Sequence, residues 1–181
     1  MSETNSKPQP EAGIKTICFE ARVYCSPQKV TQVVTIDAVD SHLLKHAWGI
    51  SRLGYVVRIA PVEGKTKNFY LHREIIGFVV LGLTIDHIDC DRLNNTRGNL
   101  RVCTHGENCR NRLPILGRSS RYKGVGFTNS NGKWRAQIML DGKNIHLGYH
   151  LSELDAAIAY NEACLKYHGE FGRPNVLAEG V

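Results

Sequence analysis

Two residues near the end of the chain, Asp141 and Gly142, constrain the fold more than any other feature. An Asp-Gly pair between two runs of alternating polarity is the strongest short-range hairpin signal, because both turn residues must take positive φ. The flanking runs, Lys133–Leu140 and Asn144–Tyr149, supply the strands. A second turn, Asn129-Ser-Asn-Gly132, joins them to an earlier strand, Tyr122–Thr128. Ser152 precedes Asp155 by three residues, a helix-capping spacing that predicts a helix running to about His168 and stopping at Gly169. Residues 119 to 175 are therefore predicted to form a three-stranded antiparallel sheet packed on one helix. Alanines at 156, 157, 159 and 163 let that helix lie close to the sheet, with Leu154, Ile158 and Leu165 expected in the seam.

The middle strand separates two faces. Trp134, Ala136, Ile138 and Leu140 point towards the helix, and Lys133, Arg135, Gln137 and Met139 point away. A sheet face of Lys, Arg and Gln can enter a major groove, where Arg pairs with guanine and Gln with adenine. The same alternation also suits an ordinary solvent face.

A second pattern spans Leu83 to Arg112, LTIDHIDCDRLNNTRGNLRVCTHGENCRNR. Thr84 to Ile88 reads as a strand with Asp86 and His87 near its end, and Asn99 to Cys103 as a second strand after an Asn/Gly-rich loop. Thr104 and Glu107 have capping-box spacing, so a helix should begin at His105, with Asn108, Asn111 and Arg112 on one face. Asp86, His87, Asn99 and Asn108 can then converge. That set suits phosphodiester hydrolysis: Asp86 and Asn108 as oxygen ligands for a divalent cation, and His87 as the base that takes a proton from water. Oxygen ligands favour Mg²⁺ or Mn²⁺ over zinc. Asp89 and Asp91 read as loop residues. No CxxC occurs, and Cys90, Cys103 and Cys109 read as buried thiols rather than as a structural zinc site, which would need a fourth ligand from His105 or farther away.

Charge is concentrated where these patterns lie. From Arg92 to Arg135 there are ten Lys and Arg against the single acid Glu107, a surplus larger than the +6 of all 181 residues. Such a stretch is what a phosphate-binding surface needs. At 42% hydrophobic and 22% charged, the chain reads as globular, with room for one mid-sized or two small domains. Its longest apolar run, Ile75–Leu83, is too short to cross a bilayer. With no signal peptide visible, the six cysteines are read as facing a reducing compartment. Residues 1 to 15 read as a disordered tail. Residues 16 to 83 read as a small mixed α/β element with strands at Thr31–Ile36, Tyr55–Ile59 and Phe69–Leu71, and a helix Asp37–Ala47 capped by Asp37. Residues 113 to 118 read as a linker. The expected class is α+β, with a nuclease domain over 16 to 112 and a reader over 119 to 175.

The words IDHIDCDRLNNTRGNLRVCTHGEN resemble the signature of HNH endonucleases, the ββα-metal (His-Me finger) nucleases, and most of all their phage and intron-encoded homing branch. The resemblance implies Asp86 and Asn108 as metal ligands, His87 as general base, and Asn99 as the central asparagine that holds the finger loop and orients the histidine. The preceding LHREIIGF is similar to the histidine-containing helix before the finger, where His72 and Arg73, like Arg112 beyond it, look supportive. Asn108 stands where the eponymous pattern has a second His, which favours magnesium over a zinc-type site.

Tyr122-Lys-Gly-Val125, Trp134-Arg-Ala-Gln-Ile138, Leu147-Gly148 and Ala156-Ala-Ile-Ala-Tyr160 resemble the plant ethylene-response-factor (APETALA-two) DNA-binding domain, also found in phage homing endonucleases. That likeness implies DNA contacts at Lys123, Arg135, Gln137, His146, Tyr149 and Tyr160, to which the open face adds Lys133. Gly126 replaces an Arg usual in plant members, so their target sequence is not implied.

These readings together predict a Mg²⁺-dependent endonuclease of double-stranded DNA, without membrane attachment and acting as a monomer; a phage or mobile-element origin and action in a host cytoplasm are what the family resemblance implies. The alternative is a non-catalytic DNA-binding protein or regulator whose finger is only structural. An RNA-binding module is weaker, since no RNP-like aromatic motif is present.

Overall fold

The computed structural model describes residues 15–26, 30–115 and 117–177. Apart from Lys15, the N-terminal tail lies outside the described residues. The contacts fall into two compact units: residues up to Val79 with His87–Arg101, and Val80–Asp86 with the residues from Val102 onward.

The first unit is built on a five-stranded sheet. Its strands are β1 (Thr16–Val23), β2 (Thr31–Asp37), β3 (Gly49–Ile50), β4 (Val56–Val62) and β5 (Lys65–Tyr70), in spatial order β2-β1-β3-β4-β5. The β1–β3 pair is parallel and the others antiparallel. β4 and β5 turn through Glu63 and Gly64, both at positive φ, as a two-residue hairpin requires. A short helix, α1 (Leu71–Ile76), follows directly. Val34, Ile36, Val56 and Leu71 are buried to 1% exposure or less and centre the core. Arg58 lies over the Phe69 ring, 4.2 Å to its centroid, and pairs with Glu74 at 2.6 Å.

Asp37 does not cap a helix. The segment Ala38–Lys45 is a 3-10 helix with no side-chain cap, and the Asp37 carboxylate instead accepts the backbone N–H of Arg97 at 2.8 Å. Asp40, 1% exposed, takes the Arg97 guanidinium at 2.7 and 2.9 Å. On β2, Thr35 N donates to Leu93 O (3.0 Å) and Thr35 O accepts from Asn95 N (2.8 Å), forming a parallel bridge to Asn94. A buried carboxylate needs charged or N–H partners, and a loop crossing the end of β2 supplies them here.

The chain passes between units along two short strands, β6 (Leu83–His87) and β7 (Leu100–Thr104), which pair as a two-stranded sheet. α2 (His105–Arg110) begins with a complete capping box: Thr104 Oγ1 accepts from Glu107 N, and the Glu107 carboxylate accepts from Thr104 N.

The rest of the second unit is an antiparallel sheet of β8 (Val125–Thr128), β9 (Lys133–Leu140) and β10 (Lys143–His150), in order β10-β9-β8, against α3 (Glu153–His168). Asp141 and Gly142 take φ of 48° and 77°, the hairpin geometry their types predict. Ser152 caps α3 by accepting from Asp155 N, and Gly169 follows the helix at φ 52°. The seam differs from the expectation. Ala156, Ala157, Tyr160, Ala163 and Cys164 are buried, whereas Leu154, Ile158 and Leu165 are exposed on the far side of the helix. The reason is steric. Alanines bring the two backbones close, and Tyr160, lying over Gly124, adds bulk there. A Cβ on Gly124 would fall 2.0 Å from the Tyr160 ring, and its φ of 76° also favours glycine.

Candidate active site and nucleic-acid interface

In the first unit the candidate residues cluster round an aromatic pocket. His87, 5% exposed, has its ring 5.3 Å from that of His72 and 6.3 Å from that of Tyr55. His72 lies on α1, 5% exposed, with Tyr55 at 5.4 Å and Tyr70 at 5.7 Å. Its Nδ1 is buried without a hydrogen-bond partner among the described residues. Burial first, then the neighbouring His87 and Arg73, pushes the His72 pKa down to about 3, so this ring stays neutral. Arg73 is exposed and lies over the Tyr70 ring, 5.6 Å from its centroid.

Asn99 ties the loop together. Its carboxamide accepts from Asp89 N (3.0 Å) and donates to Asp89 Oδ1 and Asn94 O (2.8 Å each), while its carbonyl accepts from Ile88 N. Asp89 is a loop keystone: burial raises its pKa, but hydrogen bonds from Asp91 N, Asn99 and Asn94 outweigh that and hold it below the usual carboxylate range. The carboxamide on the His87 ring is that of Asn95, whose Oδ1 lies 3.3 Å from His87 Nε2. By sequence Asn95 is one of several residues in an Asn/Gly-rich loop. Its total burial, visible only in the fold, separates it from its neighbours.

In the second unit Asp86 is 6% exposed, and both its oxygens accept from Asn111 Nδ2, at 3.2 and 3.0 Å. Asn111, 3% exposed, is the residue that ends α2. Asn108, one turn earlier, is half-buried, and Arg112 is exposed. Among the described residues no three His, Cys, Asp or Glu side chains gather at metal-binding distance, and all six cysteines are free thiols. An aspartate with asparagines is a different donor set, all oxygen, which suits a hard divalent cation.

The open face of the three-stranded sheet carries most of the predicted DNA contacts. Register places Gly126, Arg135 and Tyr149 in one row and Gln137 beside His146 in the next. Lys133, Arg135, His146 and Tyr149 are exposed, and the His146 and Tyr149 rings lie 4.7 Å apart. One assignment changes. Tyr160, 2% exposed, is core, and burial pushes its phenol pKa up, so its ring does not reach DNA. The Lys123 ammonium hydrogen bonds the Arg110 carbonyl at the end of α2. A cleft of about 430 Å³ runs along this face, lined by Arg112, Arg118, Lys123 and Arg135 and, among the described residues, no carboxylate. A larger one, about 660 Å³, is lined by His105, Cys109, Met139 and His168 among others, and none of the predicted catalytic residues borders it.

Comparisons with known proteins agree with this geometry. Residues 81–110 match the HNH endonuclease family model. An uncharacterized HNH endonuclease of Acanthamoeba polyphaga mimivirus is 32% identical over 138 residues, which is 74% of this chain and 68% of that protein. Protein 3.8 of Escherichia phage T7 is 29% identical over 98 residues, 54% of this chain and 79% of its own length. An AP2-like ethylene-responsive transcription factor of Arabidopsis thaliana is 38% identical over 52 residues, 28% of this chain and 15% of that protein. No solved structure matches. A family match over residues 81–110 together with a viral relative aligned over most of both chains shows that the chain belongs to the HNH endonuclease family, and so to the phosphodiester hydrolases.

Proposed function

We propose that the chain is a divalent-metal-dependent endonuclease of double-stranded DNA, that β6, β7 and α2 form its ββα-metal finger, and that the C-terminal sheet is an APETALA-two-type domain that grips the substrate. One observation carries this reading. Asp86 and His87 are consecutive, almost fully buried, and each is held by a carboxamide, Asn111 on the acid and Asn95 on the imidazole. Burying such groups is costly, and chains that do so at one place generally use them.

HNH endonucleases generally use a divalent metal. Asp86 and Asn108 would hold it, because their oxygen donors suit a hard divalent cation. When bound, such a cation withdraws charge from the scissile phosphate and stabilises the departing 3′ oxygen. His87 accepts the proton of the attacking water. Arg112, Arg118 and Lys133 neutralise backbone phosphates, and Arg135 and Gln137 face the base edges. A tethered reader raises the effective concentration of a small finger at its target. The viral HNH endonuclease relative suits action on DNA, and we place that action in a host cytoplasm with one finger per monomer.

The test is supercoiled plasmid incubated with the protein in EDTA, then in Mg²⁺ or Mn²⁺, with His87→Ala alongside. Metal-dependent nicking or linearisation should fall ~10²-fold or more in the variant while DNA affinity persists. Binding that never leads to cleavage, on plasmid or genomic DNA, would leave a DNA-binding protein with a structural finger.

A further inference from the structure

We infer that His105 and Cys109 form a chelating clip for a soft divalent cation of the zinc class, separate in its chemistry from the oxygen donors Asp86 and Asn108. Both clip residues lie on α2, four residues apart, so one helical turn brings their side chains together. Cys109 Sγ and His105 Nε2 stand 3.5 Å apart. Zinc binds thiolate sulfur at about 2.3 Å and imidazole nitrogen at about 2.0–2.1 Å, and a tetrahedral angle between two such bonds sets the donors about 3.6 Å apart. The helix therefore holds sulfur and nitrogen at the spacing that one ion needs. Such a donor pair favours zinc and its neighbours over magnesium, which takes oxygen ligands.

The surroundings leave room for the ion. Both residues lie on the wall of the cavity of about 660 Å³, whose lining belongs wholly to the second unit. His105 is exposed and Cys109 half-buried, so an ion reaches them without unfolding the chain. Two cationic side chains share the wall, and each is engaged there: Arg110 pairs with Asp141 at 3.5 Å, and the Lys123 ammonium donates to the Arg110 carbonyl. Among the described residues no group of three His, Cys, Asp or Glu forms a metal site, so water completes the shell. A clip of two protein ligands exchanges its ion, unlike a structural site closed by four.

On binding, the thiol proton passes to solvent, and sulfur and nitrogen each donate a lone pair to the ion with no change of oxidation state. The mechanical consequence falls on α2. A helix of six residues is too short to be stable by itself, and the clip ties its first residue to its fifth. Bound zinc should therefore raise the melting temperature of the protein, as any ligand of the folded state does.

The test uses the whole chain, reduced and without DNA, so it is independent of the nuclease reading. Added Cd²⁺ or Co²⁺ should give a sulfur-to-metal charge-transfer band that saturates at a single ion per chain, and a large excess of Mg²⁺ should leave the band unchanged. Cys109→Ser should abolish it. His105→Ala should weaken binding ~10-fold or more, since losing a ligand costs at least as much as losing a group that merely supports one. Zn²⁺ should raise the melting temperature of the wild type and not of Cys109→Ser. A band that survives in Cys109→Ser assigns the ion to another cysteine, an affinity unchanged in His105→Ala leaves a lone thiol, and a wild type without a band leaves no site; each overturns the proposal. Should a variant fail to fold, the wild type decides. Zn²⁺ should slow alkylation of Cys109 ~10-fold or more, mapped by peptide mass, while the exposed Cys18 and Cys25 react as before. Equal alkylation of Cys109 with and without Zn²⁺ overturns the clip.

Discussion

Replacing His72 by Phe should flatten the acid dependence of stability in the first unit. The native ring has a pKa near 3, against an ordinary 6.5 for an unfolded chain. Between those values the unfolded state binds a proton that the folded state refuses, so stability is intact above pH 6.5 and is lost progressively as pH falls towards 3. Each unit in that window is worth about 1.4 kcal/mol, so moving from the ordinary value to about pH 5 removes about 2 kcal/mol. This is a large share of the ~5–15 kcal/mol that stabilises a typical domain. Phe keeps the ring against Tyr55 and Tyr70, takes no proton, and deletes the unpartnered Nδ1. The assay is urea unfolding at about pH 7 and about pH 5, followed by fluorescence of Trp48, which is buried in the same unit. The wild type should lose about 2 kcal/mol more than His72→Phe between the two conditions. Equal losses in both proteins would show that His72 is solvated or protonated in the fold, and the account of its pocket would be wrong.

Three further outcomes rest on the geometry. Arg97→Ala leaves Asp40, 1% exposed, without its cation and should cost about 3 kcal/mol in denaturant unfolding. Asp40→Asn frees a guanidinium that is already 48% exposed and should cost clearly less, so equal losses would refute the asymmetry. Gly124→Ala drives a methyl into the Tyr160 ring at positive φ and should destabilise the second unit by about 2 kcal/mol or more, lowering its melting temperature. Arg135→Ala should weaken specific DNA binding by ~1–3 kcal/mol with the melting temperature unchanged. If affinity and sequence preference both survive in a titration, the open face is not the reading face.

Much of the C-terminal sheet and of β6, β7 and α2 was legible because their signals are local. Asp141-Gly142 must turn with positive φ, Thr104 and Glu107 must satisfy each other across one helical turn, and Ser152 caps the first turn of α3. β1 lies outside the predicted strands although Ile17, Phe19, Ala21 and Val23 alternate, and β3 is only two residues long, too short for any periodic signal. The α3 seam was misjudged for another reason. Hydrophobicity favours leucines over alanines, but the close approach of two backbones favours the smaller side chain.

The candidate site divides in the same way. Residue types and spacing single out Asp86, His87 and Asn99 as candidates, and the fold buries all three. Asn95, Asn111 and Tyr160 were undecidable from the chain alone. Each is a polar or amphipathic residue in a plausible surface pattern, and each is buried because of a partner distant in sequence: Thr35 for the loop of Asn95, Asp86 for Asn111, and Gly124 for Tyr160. Local chemistry determines turns, caps and the kinds of group available for catalysis. Which of those groups is immobilised, neutral or turned inward depends on contacts between distant segments, and only the tertiary structure makes them.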